Sequence, residues 1–498
     1  MAGRRCFSLV PLGAARREPV VVAVIAISAA CLNWWATRRF GLGMSNDSFF
    51  YAGSADWIKA GRGLGYWLDP DETHWPLGLP VLIATVSVIT RLDVRNAALV
   101  VQLLALAMLP ILVWRASIAV IRSALLRVIA AAVVALSVIT GTQGRLLLTG
   151  TVSSLVMVAT VFSLMAYLRH PTVRLAVLIG VLCSIAFVIR YQGLILVFVV
   201  IAVVLLLDRR PRRQVLGQIV PAAAAAIPLP AAQLILNLIR TGGVGGGYSV
   251  GGDESEATLG AAAVVKSTAR AVGGWSIGRS DVGTSSIATG SMLLVVSAVV
   301  LAMCVREVRR DRVRSDLPVP LLCSVAFVTG TVVLRGFVTF DVDSRTLVDA
   351  FAPFVLGCLM IAEHVVGHIH LTRRSPAAGR LALLLGLVWS LGVVGLGVRG
   401  ALLFATSGAG VTSRDMQPVV QELRFVDSTT ALDSCNATKS TDPKVSWLVG
   451  REDSLYRAGD PLISPWCVIV TDNSELFGNE FGGVSPLFRG EHIEIFRG

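Results

Sequence analysis

The sequence predicts an all-α polytopic membrane protein of about eleven transmembrane helices, with a small α+β domain at its C-terminal end. Of its 498 residues, 54% are hydrophobic and only 15% are charged, which is rare in a soluble protein of this size. The apolar residues fall in repeated stretches of about 17–25 residues, the length that crosses a bilayer as a helix. Arginines lie in short runs between these stretches, where topology signals belong. The net charge of +12 therefore reflects membrane topology and does not indicate nucleic-acid binding.

The candidate spans are eleven apolar segments that follow one another along the chain. They cover residues 20–38, 97–114, 124–141, 152–168, 173–189, 193–207, 215–239, 288–305, 317–334, 348–366 and 380–403. We interpret the first as an uncleaved anchor, because it is not followed by a clear small-x-small cleavage site as a signal peptide would be.

A shorter apolar segment at 78–92 is ambiguous, and the basic loops decide whether it crosses. If residues 1–19 lie inside and 78–92 does not cross, four basic loops also lie inside, as the positive-inside rule requires. These loops are 168–174, 207–214, 306–314 and 370–380. We therefore predict that 78–92 dips in from outside or lies along the interface of a bacterial cytoplasmic membrane, and that the C-terminal region ends outside.

The C-terminal region, residues 405–498, differs in composition from the transmembrane region at 20–404. Its hydrophobicity falls, its turn residues rise, and stretches such as VSWLV and WCVIVTD are typical of short strands. We predict a small extracytoplasmic α+β domain. It contains two cysteines, Cys435 and Cys467, which could form a disulfide in an oxidising compartment.

The loop at 39–77, directly after the first span, is polar, aromatic, acidic and rich in glycine. Its part DSFFYAGSADWIKAGRGL predicts a short amphipathic helix lying on the membrane surface, with tryptophan and tyrosine side chains among the membrane lipids. Asp47 stands at the N-terminus of this helix. It is either a capping residue that accepts free backbone N–H groups or a general base held at the membrane surface.

One stretch of this loop reads SNDSFFYAGSADWIKAGRGLGYW and continues with THWPLGLPVLIA. It resembles the first outer loop of the GT-C superfamily of polytopic glycosyltransferases. The shared pattern is an acidic residue, a tyrosine, A-x-x-L-x-x-G-x-G and a Pro-Leu-x-x-Pro-like start of an apolar helix. It falls on Asp47, Tyr51, Ala55, Ile58, Gly61, Gly63, Leu64, Pro76, Leu77 and Pro80. Ile58 stands where leucine is more usual.

Two later segments are similar to GT-C segments as well. IRYQGL at 189–194 contains Arg190 and Tyr191, and DSRTLVDAFAPFVLG at 343–357 contains Arg345. The second departs from the family pattern, because Asp349 stands where a proline is common.

The resemblance implies a sugar donor carried on a polyprenyl phosphate and an acceptor hydroxyl on a glycan, lipid or protein. It implies Asp47 as the base, and cationic groups at the phosphate, where negative charge builds as the bond breaks. Arg145, Arg190 and Arg345 are the phosphate candidates, with Tyr51 and Tyr191 as further substrate-binding candidates. Snorkelling anchors at the lipid headgroups are the alternative for the arginines.

Two weaker signals lie in the same outer loop. His74 could position the acceptor or ligate a cation, and a plain interfacial histidine is the alternative. The sequence DPDE at 69–72 resembles a site for a hard divalent cation, although a solvated acidic turn explains it as well. No metal ligands and no certain cofactor are predicted.

A transporter or flippase of a lipid-linked or amphipathic substrate is the alternative function. Such a protein should show repeat symmetry, broken helices in matching halves and charges near the middle of the membrane. A polysaccharide polymerase of similar topology is a third possibility. Because the unusual residues of this chain cluster on one predicted side of the membrane, we favour an enzyme that works at one surface.

Overall fold

The computed structural model describes residues 12–39, 41–65, 75–242, 261–277, 283–310, 314–335, 345–371, 376–407, 437–440, 466–471, 488–489 and 493–497. These residues form sixteen helices and four strands. The first eight helices are α1 (Leu12–Thr37), α2 (Asn46–Lys59), α3 (Gly78–Thr90), α4 (Val94–Ile118), α5 (Ala124–Leu136), α6 (Val138–Arg145), α7 (Gly150–Arg169) and α8 (Val173–Ile189). The others are α9 (Gly193–Leu207), α10 (Arg212–Ala226), α11 (Pro228–Thr241), α12 (Ala261–Ile277), α13 (Gly283–Arg309), α14 (Val319–Arg335), α15 (Val348–Leu371) and α16 (Pro376–Ser407).

Every predicted apolar segment coincides with one helix or with a bent helix pair, which confirms the all-α polytopic class. Among the described residues, five helices are long and apolar enough to cross a membrane, or seven when each bent pair counts as one span. The two pairs, α5 with α6 and α10 with α11, each bend by 42°. The first bends at Ser137, whose hydroxyl accepts the Thr140 N–H, and the second just before Pro228, which has no N–H to continue the ladder.

The helix bundle has two ends that can be told apart by their contacts. Glu18, near the start of α1, pairs with Arg127 of α5 and accepts the indole N–H of Trp114, near the end of α4. The end of α4 therefore lies beside the start of α1, and the two helices run in opposite directions. We call this the Glu18 end of the bundle, and we call the opposite one the Asp47 end.

The direction of α15 fixes which residues lie at the Asp47 end. Glu363 in α15 accepts the backbone N–H groups of Arg122 and Ser123, just before α5, at the Glu18 end. The start of α15 therefore lies at the Asp47 end. There Arg190, which follows α8, donates to the Arg345 carbonyl, so α8 also finishes at that end.

Helix α3 begins and finishes at the Asp47 end. The residue before it, Leu77, donates its N–H to the side chain of Gln233. Gln233 is hydrogen-bonded to Asn237, and Asn237 to Tyr191, which directly follows Arg190 at the Asp47 end. Its last residue is joined by the short link 91–93 to the start of α4, also at the Asp47 end. The contacts thus support the prediction that 78–92 does not cross.

Three of the four basic loops meet at the Glu18 end. Arg169, at the end of α7, pairs with Asp316, and Arg209, after α9, donates to the Val308 carbonyl at the end of α13. The loops 168–174, 207–214 and 306–314 therefore share one end, as their charge predicts. The fourth, 370–380, lies partly outside the described residues, and the side of the membrane that this end faces stays a prediction.

Helix α12 lies between the predicted spans 215–239 and 288–305, in a part of the chain where the sequence indicated no span. Its glycines are helix contacts and not turns, because a Cβ on Gly273 would overlap the Ser286 carbonyl of α13. In the facing position, a Cβ on Gly290 would overlap the Ala269 carbonyl of α12. Small residues at these two positions let the helix backbones approach closely.

The strands lie in the C-terminal region, and they are β1 (Ala437–Ser440), β2 (Trp466–Thr471), β3 (Phe488–Arg489) and β4 (Ile493–Arg497). They form one sheet in the order β1-β2-β4-β3, with β1 parallel to β2 and the other pairs antiparallel. Strand β2 coincides with the predicted strand in WCVIVTD. Cys435, VSWLV and the side chain of Cys467 lie outside the described residues, so the disulfide and the domain boundary stay predictions.

Candidate functional site

The first turn of α2 shows that Asp47 is not the helix cap. Ser45 is the N-cap, its backbone N–H donates to the Ser48 hydroxyl at 2.9 Å, and the two hydroxyl oxygens lie 3.1 Å apart. This reciprocal arrangement satisfies donors at the start of the helix. The capping interpretation of Asp47 is therefore wrong.

Asp47 is instead held by an aromatic side chain from the far side of its loop. One carboxylate oxygen accepts the indole N–H of Trp75 at 3.3 Å. Trp75 in turn stacks on Phe50, with ring centroids 3.6 Å apart and ring planes 13° from parallel. Tyr51, one turn after Asp47 on the same face, is 5% exposed and belongs to the hydrophobic core. The result is a half-buried carboxylate on a rigid support.

The segment that leads to α2 is fixed to the end of α6 by two backbone hydrogen bonds. The Gly43 N–H donates to the Arg145 carbonyl at 2.8 Å, and the Leu147 N–H donates to the Gly43 carbonyl at 3.0 Å. Because Asp47 lies four residues after Gly43, its position depends on this short bridge. The two sequence-predicted residues Asp47 and Arg145 therefore belong to one connected structure.

Arg145 itself is buried, at 2% exposure, so its interpretation as a snorkelling anchor was wrong. Its guanidinium donates to the Asn33 carboxamide oxygen at 3.4 Å and to the Thr142 hydroxyl at 3.3 Å, and it lies 5.8 Å from the ring centroid of Phe404. Its Nε has no hydrogen-bond partner among the described residues. The guanidinium joins α1, α6 and α16 through neutral partners.

A second polar group, not predicted from the sequence, surrounds Asp349 in the first turn of α15. Its buried carboxylate accepts the hydroxyls of Ser153 at 2.6 Å and Ser154 at 3.2 Å. The Arg190 guanidinium lies 3.7 Å from the other carboxylate oxygen and also donates to the Arg345 carbonyl at 2.9 Å. Arg190 thus joins the end of α8 to the turn that precedes α15.

Arg345 lies in that turn with its side chain exposed. The structure therefore brings Arg190 and the backbone of Arg345 together. The neighbouring aspartates at 341 and 343 lie outside the described residues. Asp349 was noted in the sequence only as a departure from the GT-C pattern, and its partners are 159, 195 and 196 residues away along the chain.

Tyr191 belongs to a buried chain of amide groups that the sequence analysis missed. Its hydroxyl accepts the Asn237 side-chain N–H at 3.0 Å. Asn237 accepts from Gln233 at 2.9 Å, and Gln233 accepts the Leu77 N–H at 3.3 Å. The available signal was the pair of carboxamides four residues apart in the apolar segment 215–239, since polar residues inside spans usually have partners.

Two predicted features cannot be placed. His74 and the acidic stretch 69–72 lie outside the described residues. Within the described ranges, histidine, cysteine and acidic side chains form no group of three or more that could hold a metal ion.

The fold is similar to that of solved membrane proteins. ArnT from Cupriavidus metallidurans bound to undecaprenyl phosphate aligns with a TM-score of 0.58 and 11% identity over 95% of this chain and 97% of its own. The oligosaccharyltransferase AglB from Archaeoglobus fulgidus, in complex with an inhibitory peptide and a dolichol-phosphate, aligns with a TM-score of 0.59 and 12% identity over 92% of this chain and 70% of its own.

This chain spans only 55% of the length of the Archaeoglobus fulgidus oligosaccharyltransferase solved with a tethered acceptor peptide, with a TM-score of 0.53 and 13% identity over 79% of this chain. No protein-family model and no curated protein matches the sequence. At such low identities the similarity concerns the fold, and both named proteins have the GT-C fold.

Proposed function

We propose that this chain, which has the fold of the GT-C membrane glycosyltransferases, moves a sugar from a polyprenyl-phosphate donor to an acceptor hydroxyl. The observation that carries the proposal is the half-buried carboxylate of Asp47, fixed by Trp75 at the end of the bundle where Arg190 and Arg345 also lie. Structures with this fold that contain undecaprenyl phosphate and dolichol-phosphate support a lipid-phosphate donor.

In this proposal Asp47 acts as the general base. As the acceptor oxygen attacks the anomeric carbon, its proton must move to a group within hydrogen-bond reach, and an ionised carboxylate can accept it. Since Ser45 caps the helix, the Asp47 carboxylate is not needed for that purpose. The indole of Trp75 occupies one oxygen and restricts the rotation of the carboxylate, which favours a fixed direction of proton transfer.

Arg345 and Arg190 are proposed to act at the leaving phosphate. Negative charge accumulates on the phosphate oxygen as its bond to the anomeric carbon breaks, and a guanidinium stabilises this charge by paired hydrogen bonds. In this proposal the Arg345 side chain, which is exposed, makes this contact. Arg190 holds the backbone of Arg345 and is itself held by Asp349. Tyr191, supported by Asn237, is proposed to contact the substrate beside them.

The location that we propose for the reaction is the outer face of a bacterial cytoplasmic membrane, with a glycan, lipid or protein as acceptor. Helices α2 and α3 both lie at the Asp47 end, where they can form a floor on the membrane surface. A donor anchored by its polyprenyl chain would present its phosphate at that depth. Arg145 lies at the same end, but its burial against Asn33 and Phe404 gives it a supporting role in this proposal.

The test compares Asp47→Asn with Asp93→Asn in membranes supplied with a panel of radiolabelled polyprenyl-phosphate sugars. Asparagine cannot accept a proton at neutral pH, so Asp47→Asn should lose transfer by about 100-fold or more while retaining expression and thermal stability. Near-normal turnover by Asp47→Asn would remove it as the base, and the absence of transfer by the wild type from every donor would reject the function.

Asp93 is the matched control because it is a carboxylate at the same end with a structural task. It caps α4 by accepting the Asn96 N–H at 2.9 Å. Burial acts to raise the pKa of Asp93, but hydrogen bonds from Asn96 and the Arg95 backbone, with the charge of Arg95, together hold the pKa below its ordinary value. Asparagine is an equally good cap, so Asp93→Asn should retain both activity and stability.

A transporter or flippase remains the second candidate because of one observation, the two helix pairs that each bend by 42°. Broken helices line substrate sites in many transporters. In reconstituted vesicles, a flippase would move a fluorescent polyprenyl phosphate across the bilayer without any sugar transfer, and Asp47→Asn would leave that movement unchanged. Sugar transfer that depends on Asp47 supports the enzyme.

A further inference from the structure

A groove at the Glu18 end, away from the candidate site, combines an apolar wall with two arginines. It is an open groove of about 570 Å³ between α13 and α14. Its apolar wall consists of Ala298, Ala302 and Val305 on α13 with Leu322 and Val325 on α14. The three α13 residues are spaced by four and three, so they lie on one face of that helix.

The apolar wall ends at two arginines, and both line the groove. Arg306 is exposed, and its guanidinium has no hydrogen-bond or ion-pair partner within the described part of the chain. Among the described residues, the Arg310 guanidinium pairs with Glu307 alone, at 3.4 Å, in an exposed pair of the kind that contributes little to stability. Both guanidinium groups can therefore turn toward an anion at the end of the groove.

A third arginine adds to the positive charge at this corner. Arg209 donates to the Val308 carbonyl in the last turn of α13. Carbonyl groups at a helix C-terminus carry partial negative charge, which would repel an anion. The Arg209 contact offsets part of that charge, so the corner favours an anionic group.

The dimensions of the groove match one leaflet of a membrane. From Ala298 to its last residue, Arg309, the helix advances by eleven residues, or about 16 Å, and Arg310 follows directly. One leaflet contributes about half of a hydrocarbon core that is roughly 30 Å thick. An acyl chain laid along Ala298, Ala302 and Val305 would therefore bring its phosphate to Arg306 and Arg310.

We propose that the groove between α13 and α14 binds an anionic phospholipid, with an acyl chain along the apolar wall and the headgroup phosphate at Arg306 and Arg310. The site is separate from the sugar-transfer site and does not depend on it. Basic residues at the ends of membrane helices attract anionic lipids, and two of them together account for roughly a tenfold to thirtyfold difference in affinity.

The experiment adds phosphatidylglycerol or phosphatidylethanolamine with identical acyl chains to the delipidated full-length protein in detergent. Bound lipid is counted by native mass spectrometry, and the Tm is followed in parallel. Wild type should bind phosphatidylglycerol at least about tenfold more tightly than phosphatidylethanolamine. The double variant Arg306→Gln/Arg310→Gln should lose this preference. Ala302→Trp, which fills the groove and keeps both charges, should also lose the bound lipid.

The matched control is Arg213→Gln, which removes an exposed arginine at the same end, on α10 and outside the groove. It should keep the wild-type preference, and an equal loss in this variant would show that only net charge matters and would overturn the proposal. Equal binding of the two lipids by wild type would overturn it too. So would inorganic phosphate alone reproducing the thermal shift, because the site would then bind a free anion and not a lipid.

Discussion

Asp47 and Asp349 are carboxylates at the same end of the bundle, and they differ in burial and in their hydrogen-bond partners. Asp47 is half-buried, and among the described residues its carboxylate accepts one hydrogen bond, from the neutral indole of Trp75 at 3.3 Å. Asp349 is buried and receives two hydroxyls and a guanidinium. Asp349 therefore serves to position Arg190 and, through it, the turn that carries Arg345.

Asp349→Asn is expected to loosen the turn that carries Arg345 without removing any group that we place on the substrate. Asparagine can still accept the serine hydroxyls, but it leaves the Arg190 guanidinium without its charged partner. The loss should lower the free energy of unfolding by about 2 kcal/mol and raise the KM for the donor more than it lowers kcat. Thermal unfolding and steady-state kinetics measure both.

The control for Asp349→Asn is Asp56→Asn, an exposed carboxylate on α2, which should change stability by no more than about 0.5 kcal/mol. If Asp349→Asn lowered only the Tm and left the KM at the wild-type value, Asp349 would be a structural residue alone.

Arg345→Lys is expected to separate a phosphate contact from a structural one. Lysine keeps the charge but lacks the planar fork of guanidinium, so it replaces a bidentate grip poorly. For a contact that strengthens as the leaving group gains charge, kcat and donor affinity should both fall, together roughly 30- to 150-fold in kcat/KM. A variant with normal kinetics and a lowered Tm would assign Arg345 to the turn and not to the phosphate.

At the scale of elements, the sequence predicted the apolar helices and strand β2 but not helix α12. Long apolar segments identify helices because their length and composition are local properties, and β2 follows from the local pattern WCVIVTD. Helix α12 was not predicted, and its glycines contact a neighbouring helix. Their role depends on the facing helix α13, which the local sequence does not indicate.

The candidate site likewise has one part that the sequence could predict and one part that it could not. The motif that contains Asp47 is contiguous and could be recognised, whereas the partners of Asp349 and Tyr191 come from other helices. No spacing rule joins Ser153 to Asp349 before the fold is known. What the sequence did offer was a polar residue in an apolar segment, which indicates that a partner exists without naming it.

Gly290→Ala is expected to disturb the contact between α12 and α13. Its new methyl group would overlap the Ala269 carbonyl, a backbone atom that can move only if the helices separate. Overpacking of this kind costs about 1–3 kcal/mol. Thermal unfolding in detergent would show the loss. Gly217→Ala is the control, because nothing lies within 4 Å of its added carbon and alanine has the better helix propensity, so its stability should stay equal or rise.

At the scale of the whole molecule, the two ends of the bundle differ in the partners of their arginines. At the Glu18 end several arginines are paired with carboxylates, among them Arg127 with Glu18, Arg169 with Asp316 and Arg210 with Asp208. At the Asp47 end, Arg145 is buried among neutral groups and Arg345 is exposed. Both ends nevertheless have an exposed arginine that could meet an anion, Arg345 at the Asp47 end and Arg306 at the Glu18 end.

The orientation of the bundle can be tested with single cysteines in a background that lacks the natural ones. Ala60→Cys, exposed at the end of α2, should react in intact cells with a membrane-impermeant maleimide. Arg213→Cys, exposed at the Glu18 end, should react only after the membrane is permeabilised. Labelling of Arg213→Cys from outside would reverse the orientation and move the candidate site to the cytoplasmic face.

Helix α3 returns to the end of the bundle from which it started, so residues 38–93 add no net crossing of the membrane. Replacing this segment by a longer or shorter one leaves the orientation of every later helix unchanged, whereas gaining or losing a single crossing helix would invert them all. Chimeras joined at Arg38 and Asp93 offer the same freedom to protein engineering.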